Sequence, residues 1–378
     1  MTTELEIKTE RLRAMLAAED LGGVLINAQH NFAWLTGGGT NGIDLSRSNG
    51  SCFVFVHADG RRFLIANNIE MSRLLEEEIC ECDFEPVELS WQAEKASVQT
   101  VLNAANSLLV GGTSLATDLC LSHDLRVIEA QISACRHQLT EPEIERYRRL
   151  GSEAGEVLRD TIADISPGET ENEIAAKVRS KLLSAGIIPV VALVGADERI
   201  ERYRHPVPTE NVWRKTLLIA VCARRHGLIA CLSRIICADE IPCDLQRRTE
   251  IAAKINATLY AGTRPGVTGS EIYGVAASAY ADFGFAEAID KHHQGGATGY
   301  RTRDWTAHPS SCETVKMHQA FAWNPSITGT KTEETGIVTP EGFEIITATP
   351  GFPKIDVVVD GREYSSPGIL SLTKGASA

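Results

Sequence analysis

Apolar and polar positions follow two rhythms along the first third of the chain. Short apolar runs, GGVLIN at 22–27 and SCFVFV at 51–56, have the length and content of strands. TERLRAMLAAED at 9–20 and NIEMSRLLEEEI at 68–79 read instead as helices. After the second strand comes HADGRRFLIAN, whose Asp59-Gly60 pair predicts a hairpin turn, because glycine reaches the positive φ that such turns need. From residue 5 to about 132 this alternation predicts a small α/β domain. At LTEPEIERYRRL the pattern becomes that of a long helix, with Thr140 as its cap, Glu141 and Glu143 in its first turn and Pro142 at an early position. A boundary is expected near 135–140, separating an N-terminal domain, 1–135, from a second block, 136–378.

The second block repeats itself. ISPGETENEIAAKVRSKLLSAGI, from Ile165, and TRPGVTGSEIYGVAASAYADFGF, from Thr263, share Pro-Gly, a threonine, Glu-Ile, a helix and a closing glycine. Pro167 pairs with Pro265, Glu173 with Glu271 and Gly186 with Gly284, at a constant offset of 98 residues. The matched positions are structural punctuation: threonine caps each helix and glycine ends it. Two similar halves are expected, with the strands that follow each helix around a shared cleft.

Composition narrows the function. A 378-residue chain with 43% hydrophobic residues can bury a sizeable core. A net charge of -13 speaks against nucleic acid and against an anionic membrane surface, and favours a small polar substrate. The first residues, MTTELEIKTERLRAML, do not have the basic start and apolar stretch of a secretory signal, and no run reaches the roughly 18 apolar residues of a membrane span. Ten scattered cysteines suggest reduced thiols in a cytoplasm, and Cys80 and Cys82 are too close together for a zinc knuckle.

The segments RHPVPTENVWRKTLLIAV, GLIACLSRII, HHQGGATGY, FAWNPSI and KTEETGIVT, in that order, resemble the motifs of the creatinase/aminopeptidase P/prolidase superfamily. The resemblance covers nearly the whole chain. It implies an α/β (α+β) fold: a creatinase-like N-terminal domain followed by a pseudo-two-fold pita-bread domain. Metallopeptidases of that superfamily hold two divalent ions with two Asp, one His and two Glu. Here Ala220 stands for the first aspartate, Cys231 for the second, Gly296 for the histidine and Asn324 for one glutamate; only Glu333 keeps its carboxylate. Two hard cations need several anionic oxygens. No dinuclear metal site and no cofactor are therefore expected. His292 and His293 precede the ligand position and do not simply replace it.

What remains is polar. His205 matches the histidine that creatinase, a metal-free member, uses as its acid/base group, and an imidazole titrates near neutrality. Glu333 would orient His205 or bind a substrate cation. Arg303 and Asp304 fall where the family has a histidine and a glutamate, and a guanidinium there would clamp a substrate carboxylate. His293, Gln294, Asn324 and Arg204 complete the candidate substrate contacts. Cys231 offers a second mechanism as a thiolate nucleophile. Asp197 and Arg199 would shape the approach to His205. Arg47 of the N-terminal domain would reach a neighbouring subunit, because creatinase-like relatives are dimers.

The resemblance thus implies a metal-independent, cytoplasmic, homodimeric hydrolase that cleaves a C–N bond in a small amino-acid-like, guanidino or short peptide substrate. The alternatives are an X-Pro aminopeptidase or dipeptidase, a metal-free lyase in a biosynthetic pathway, and a non-catalytic binding module. A binding module would have no reason to keep His205, Glu333 and Arg303 around one pocket.

Overall fold

The apolar run at 22–27 folds as β1 (Gly23–Ala28), buried throughout, and that at 51–56 lies within β2 (Asn49–His57). The computed structural model of the chain describes residues 3–79, 83–111 and 113–375. Cys80 and Cys82 lie outside those residues. β2 turns at Asp59-Gly60 into antiparallel β3 (Arg62–Asn67), with Phe53 opposite Ile65, and Gly60 takes φ 97°. With β4 (Glu85–Leu89), β5 (Leu115–Thr117) and β6 (Arg126–Val127) they form one mixed sheet, ordered β4-β3-β2-β1-β5-β6. The helices of this unit are α1 (Glu4–Ala18), α2 (Gln29–Leu35), α3 (Met71–Arg73), α4 (Trp91–Ala96), α5 (Val98–Ser107) and α6 (Glu129–Arg136). One sheet face buries Leu25, Phe55, Phe63 and Ile65 against Val101, Leu102 and Ala105 of α5.

The stretch 68–79 is helical, but not as one α-helix. After α3 the backbone widens into a π-helical turn over Leu74–Glu78. That geometry brings Arg73 and Glu78, five residues apart, to 2.7 Å.

Two compact units divide the chain, Met1–His137 and Gln138–Ala378. The second opens with α7 (Glu141–Ala163), where Thr140 and Glu143 form the capping box and Pro142 lies in the first turn. Next come α8 (Glu171–Ser184), β7 (Ile188–Ala196), α9 (Glu198–Arg202), β8 (Thr216–Arg225), β9 (Leu228–Cys237), α10 (Cys243–Gly262) and α11 (Gly269–Asp282). The remaining strands are β10 (Gly295–Thr298), β11 (Trp305–Thr306), β12 (Ala320–Trp323), β13 (Ser326–Ile327), β14 (Thr330–Lys331), β15 (Glu334–Thr339), β16 (Gly342–Ile345), β17 (Lys354–Val359), β18 (Arg362–Pro367) and β19 (Ile369–Ser371).

The internal repeat is visible in atomic detail. α8 and α11 are both 14 residues long and both start from a threonine capping box: Thr170 with Glu173, and Thr268 with Glu271. In each, the cap N–H donates to the glutamate at 2.7 Å. Each ends at a left-handed glycine, Gly186 at φ 69° and Gly284 at φ 78°. One sheet of each half follows, β19-β9-β8-β7 and β11-β10-β12-β15-β16. Among the described residues no helix is long and apolar enough to cross a membrane.

Candidate active site

The two sheets of the second unit meet along β9. Ser233 N–H donates to the Glu333 carbonyl at 3.1 Å. Thr335 Oγ1 accepts from Cys231 N–H at 2.7 Å and donates to the Cys231 carbonyl at 2.9 Å. In the angle between the sheets lies a cavity of about 170 Å³. Leu193 and Val191 of β7, Ala220 and Cys222 of β8, and then His205, His293, Arg303, Asn324, Lys331 and Glu333 line it. Its volume is below the roughly 300–1,000 Å³ of drug-sized sites, which suits a small substrate. A second cavity of about 280 Å³ surrounds Arg234 and Glu334. There the charges close on each other at 2.9 Å, and Arg234 also donates to Thr349, Ser233 and Thr347, so each of its guanidinium nitrogens is already engaged.

Glu333 is the only carboxylate lining the first cavity among the described residues, and it is 4% exposed. Lys331 Nζ lies 2.8 Å from it and Arg303 Nη2 3.2 Å. Burial alone would raise its pKa, but the charges and hydrogen bonds of these two cations hold it below the ordinary carboxyl value. Arg303 also donates to the Cys231 sulfur at 3.5 Å, while its Nε has no partner among the described residues. Desolvation works against the guanidinium, yet Cys231 and Glu333 outweigh it and raise its pKa. Among the side chains that line the cavity two cations face one carboxylate, so the lining is net positive.

Three imidazoles stand on one side. His205 Nε2 and His292 Nε2 face each other at 3.2 Å, and the rings of His292 and His293 stack with centroids 4.4 Å apart. His292 is buried, with Nδ1 unpartnered among the described residues. Desolvation first, then Lys331, lowers the pKa of His205. Desolvation with Arg303 and Lys331 takes His293 down to about 4, and desolvation with Lys331 and His293 takes His292 to about 2. Each shift favours the neutral imidazole.

The donor set does not fit two divalent ions. Ala220 and Gly296 offer no ligand atom, Cys231 is bonded by Arg303, and the one carboxylate is already paired with two cations. A side chain at 296 is excluded as well: a Cβ there would stand 2.1 Å from the Trp305 carbonyl, across the β10–β11 pair. A single ion has a different candidate, since His205, His292 and His293 bring ligand nitrogens within 4.8 Å of one another.

Several expected contacts lie elsewhere. Gln294 is buried and accepts from Tyr280 at 2.7 Å while its amide donates to the Ile289 and His292 carbonyls, which fixes the loop before β10 and leaves nothing for a substrate. Arg204 bonds Thr328 at 3.1 Å and does not line the cavity. Asp304 is also outside the lining, its carboxylate packed beside Gly299 after β10. Asp197 accepts three backbone N–H groups, from Arg214, Lys215 and Thr216, and Arg199 pairs with buried Glu171 at 2.9 Å, so neither forms the wall of the cavity at His205. Arg47, whose expected contact is with a neighbouring subunit, lies in the N-terminal unit and pairs with Asp44 at 3.0 Å on an exposed loop. The unforeseen members are Lys331 and Cys222. Lys331 is two residues before Glu333 in an extended segment, a spacing that puts both on one face. Cys222 is legible only through the strand register that opposes it to Cys231.

Residues 145–344 match the family model of metallopeptidase family M24, and residues 8–150 match that of the creatinase/prolidase N-terminal domain. A comparison with curated proteins found no match. Among solved structures, the Xaa-Pro dipeptidase from Bacillus anthracis is 18% identical, with a TM-score of 0.73 over 92% of this chain and 98% of that one. The prolidase from Pyrococcus horikoshii OT3 is 17% identical, with a TM-score of 0.76 over 90% and 98%. The N-terminal domain of the FACT complex subunit SPT16 from chickpea, Cicer arietinum, is 12% identical, with a TM-score of 0.68 over 92% and 97%. At such identities the structural likeness establishes the fold.

Proposed function

The chain belongs to metallopeptidase family M24, with a pita-bread domain and a creatinase-like N-terminal domain; from that membership we propose a hydrolase that cleaves a C–N bond, and from the ligand positions held by Ala220, Cys231, Gly296 and Asn324 one that works without the family's pair of ions. The substrate class is a small amino-acid-like, guanidino or short peptide molecule that carries a carboxylate. The observation that carries this reading is the double pairing of Glu333 with Lys331 and Arg303, which puts fixed positive charge where relatives need negative charge. His205 takes a proton from water as the oxygen attacks the carbonyl or amidine carbon, and returns it to the leaving nitrogen. The net positive cavity attracts the substrate carboxylate, and Arg303 and Lys331 orient it. The convergence of His205, Glu333 and Arg303 on one cavity favours catalysis over a binding module.

A second reading rests on the three histidines. A mononuclear ion held by His205, His292 and His293 would supply an activated water, in keeping with the family's metal chemistry. The readings exclude each other, because His205 cannot be both free base and ligand. Elemental analysis, together with a screen of amidines, ureas and X-Pro dipeptides with and without chelator, separates them. Turnover that is indifferent to chelator and lost in His205→Ala supports the metal-free reading. Activity removed by chelator and restored by zinc, manganese or cobalt rejects it.

A further inference from the structure

We infer that Cys222 and Cys231 form a reversible dithiol–disulfide modification site in the wall of the cavity, oxidised by a small hydroperoxide. The two are register partners in the antiparallel pair β8–β9, so their side chains leave the sheet on one face. Their sulfurs are 3.3 Å apart and both thiols are free. A disulfide needs sulfurs at about 2.05 Å and Cα atoms about 4.4–6.8 Å apart, and directly opposed antiparallel residues stand at about 4.5 or 5.5 Å. Closing the bond therefore takes side-chain rotation and no change of backbone register.

The two sulfurs also differ in access, as a modification site requires. Cys222 is half-buried and lines the cavity. Cys231 lies fully buried beside it, within 3.5 Å of Arg303. Hydrogen peroxide entering the cavity transfers one oxygen to the Cys222 thiol, giving the sulfenic acid and one water; an organic hydroperoxide would leave an alcohol in place of that water. The Cys231 sulfur then attacks the Cys222 sulfur, and the hydroxyl leaves with the thiol proton as a second water. Two thiols lose two electrons and two protons in all, and the O–O bond receives them. The new bond spans the floor beneath Arg303 and takes away its thiolate-capable partner, leaving the guanidinium to Glu333.

The test treats the full chain with one equivalent of hydrogen peroxide, alkylates it under denaturing conditions and maps the peptides. The expected product is a linked peptide pair joining Cys222 to Cys231, with both alkylation sites lost and both regained after dithiothreitol. The same product is expected when Cys80, Cys82 and the exposed Cys120, Cys243 and Cys312 are replaced by serine, which limits intermolecular exchange. In Cys231→Ser the oxidation is expected to stop at a Cys222 sulfenic acid that dimedone traps. Full alkylation of both residues after peroxide, or a Cys222 sulfinic acid without any linked peptide, would overturn the proposal.

Discussion

Lys331 and Glu333 are both buried, and Lys331 Nζ sits 2.8 Å from Glu333 Oε2. Two positions apart in an extended segment, they form an ion pair inside the cavity, which Arg303 completes from the other side. This pairing decides what the cavity can attract. A carboxylate held by two cations is a weaker ligand for a pair of divalent ions, and the excess positive charge favours an anionic substrate.

Replacing Lys331 by methionine keeps the apolar stem and removes the charge. The expected loss is about 1–3 kcal/mol at neutral pH, below the roughly 3–5 kcal/mol of a fully orphaned buried charge, because Arg303 remains. Glu333 has a lowered folded pKa, so its contribution is present above the unfolded value near 4.5 and disappears as pH falls through the lower folded value. Denaturant melts from pH 7 to 3 should therefore show the variant and the parent converging at the acidic end. A constant difference across that range would contradict the assignment.

His205→Ala should lower kcat/KM by about 100- to 10,000-fold with little change in melting temperature, since the ring is exposed and makes one hydrogen bond, to His292. In the proposed mechanism His205 is the base, and its pKa is lowered, so the acid limb of the parent's kcat/KM profile should lie below the ordinary imidazole value of 6.5. An acid limb above that value would point to a different group.

Restoring oxygen ligands alone should not restore metal binding. The triple variant Ala220→Asp, Cys231→Asp, Asn324→Glu is expected to bind manganese no more tightly than the parent by calorimetry. Affinity should appear only when Lys331→Met and Arg303→Gln are added, because the fixed cations oppose the ions. Tight binding by the triple variant would refute the electrostatic account.

Gly296→Ala probes the backbone instead of the charge. Its methyl would overlap the Trp305 carbonyl at 2.1 Å, so β10 and β11 must separate. The expected destabilisation is about 1–3 kcal/mol, read as a lower denaturation midpoint. A neutral substitution would mean that this strand pair tolerates a side chain after all.

The amino-acid sequence determined the local elements and their order, because each depends on neighbours a few positions away. Thr170 with Glu173 and Thr268 with Glu271 close their capping boxes within one turn, so the repeat at 98 residues is legible from residue order alone. The motif order also carried the family, and the empty ligand positions Ala220 and Gly296 were legible by type alone. Tertiary structure decided which polar groups face the cavity. Gln294 and Asp304 neighbour true lining residues in sequence, yet one is bound to Tyr280 and the other lies beside Gly299, outside the lining. Cys222 met Cys231, and Lys331 met both Glu333 and the field of Arg303, through strand register and sheet contact. Those depend on packing across the fold, which spacing along one chain does not encode.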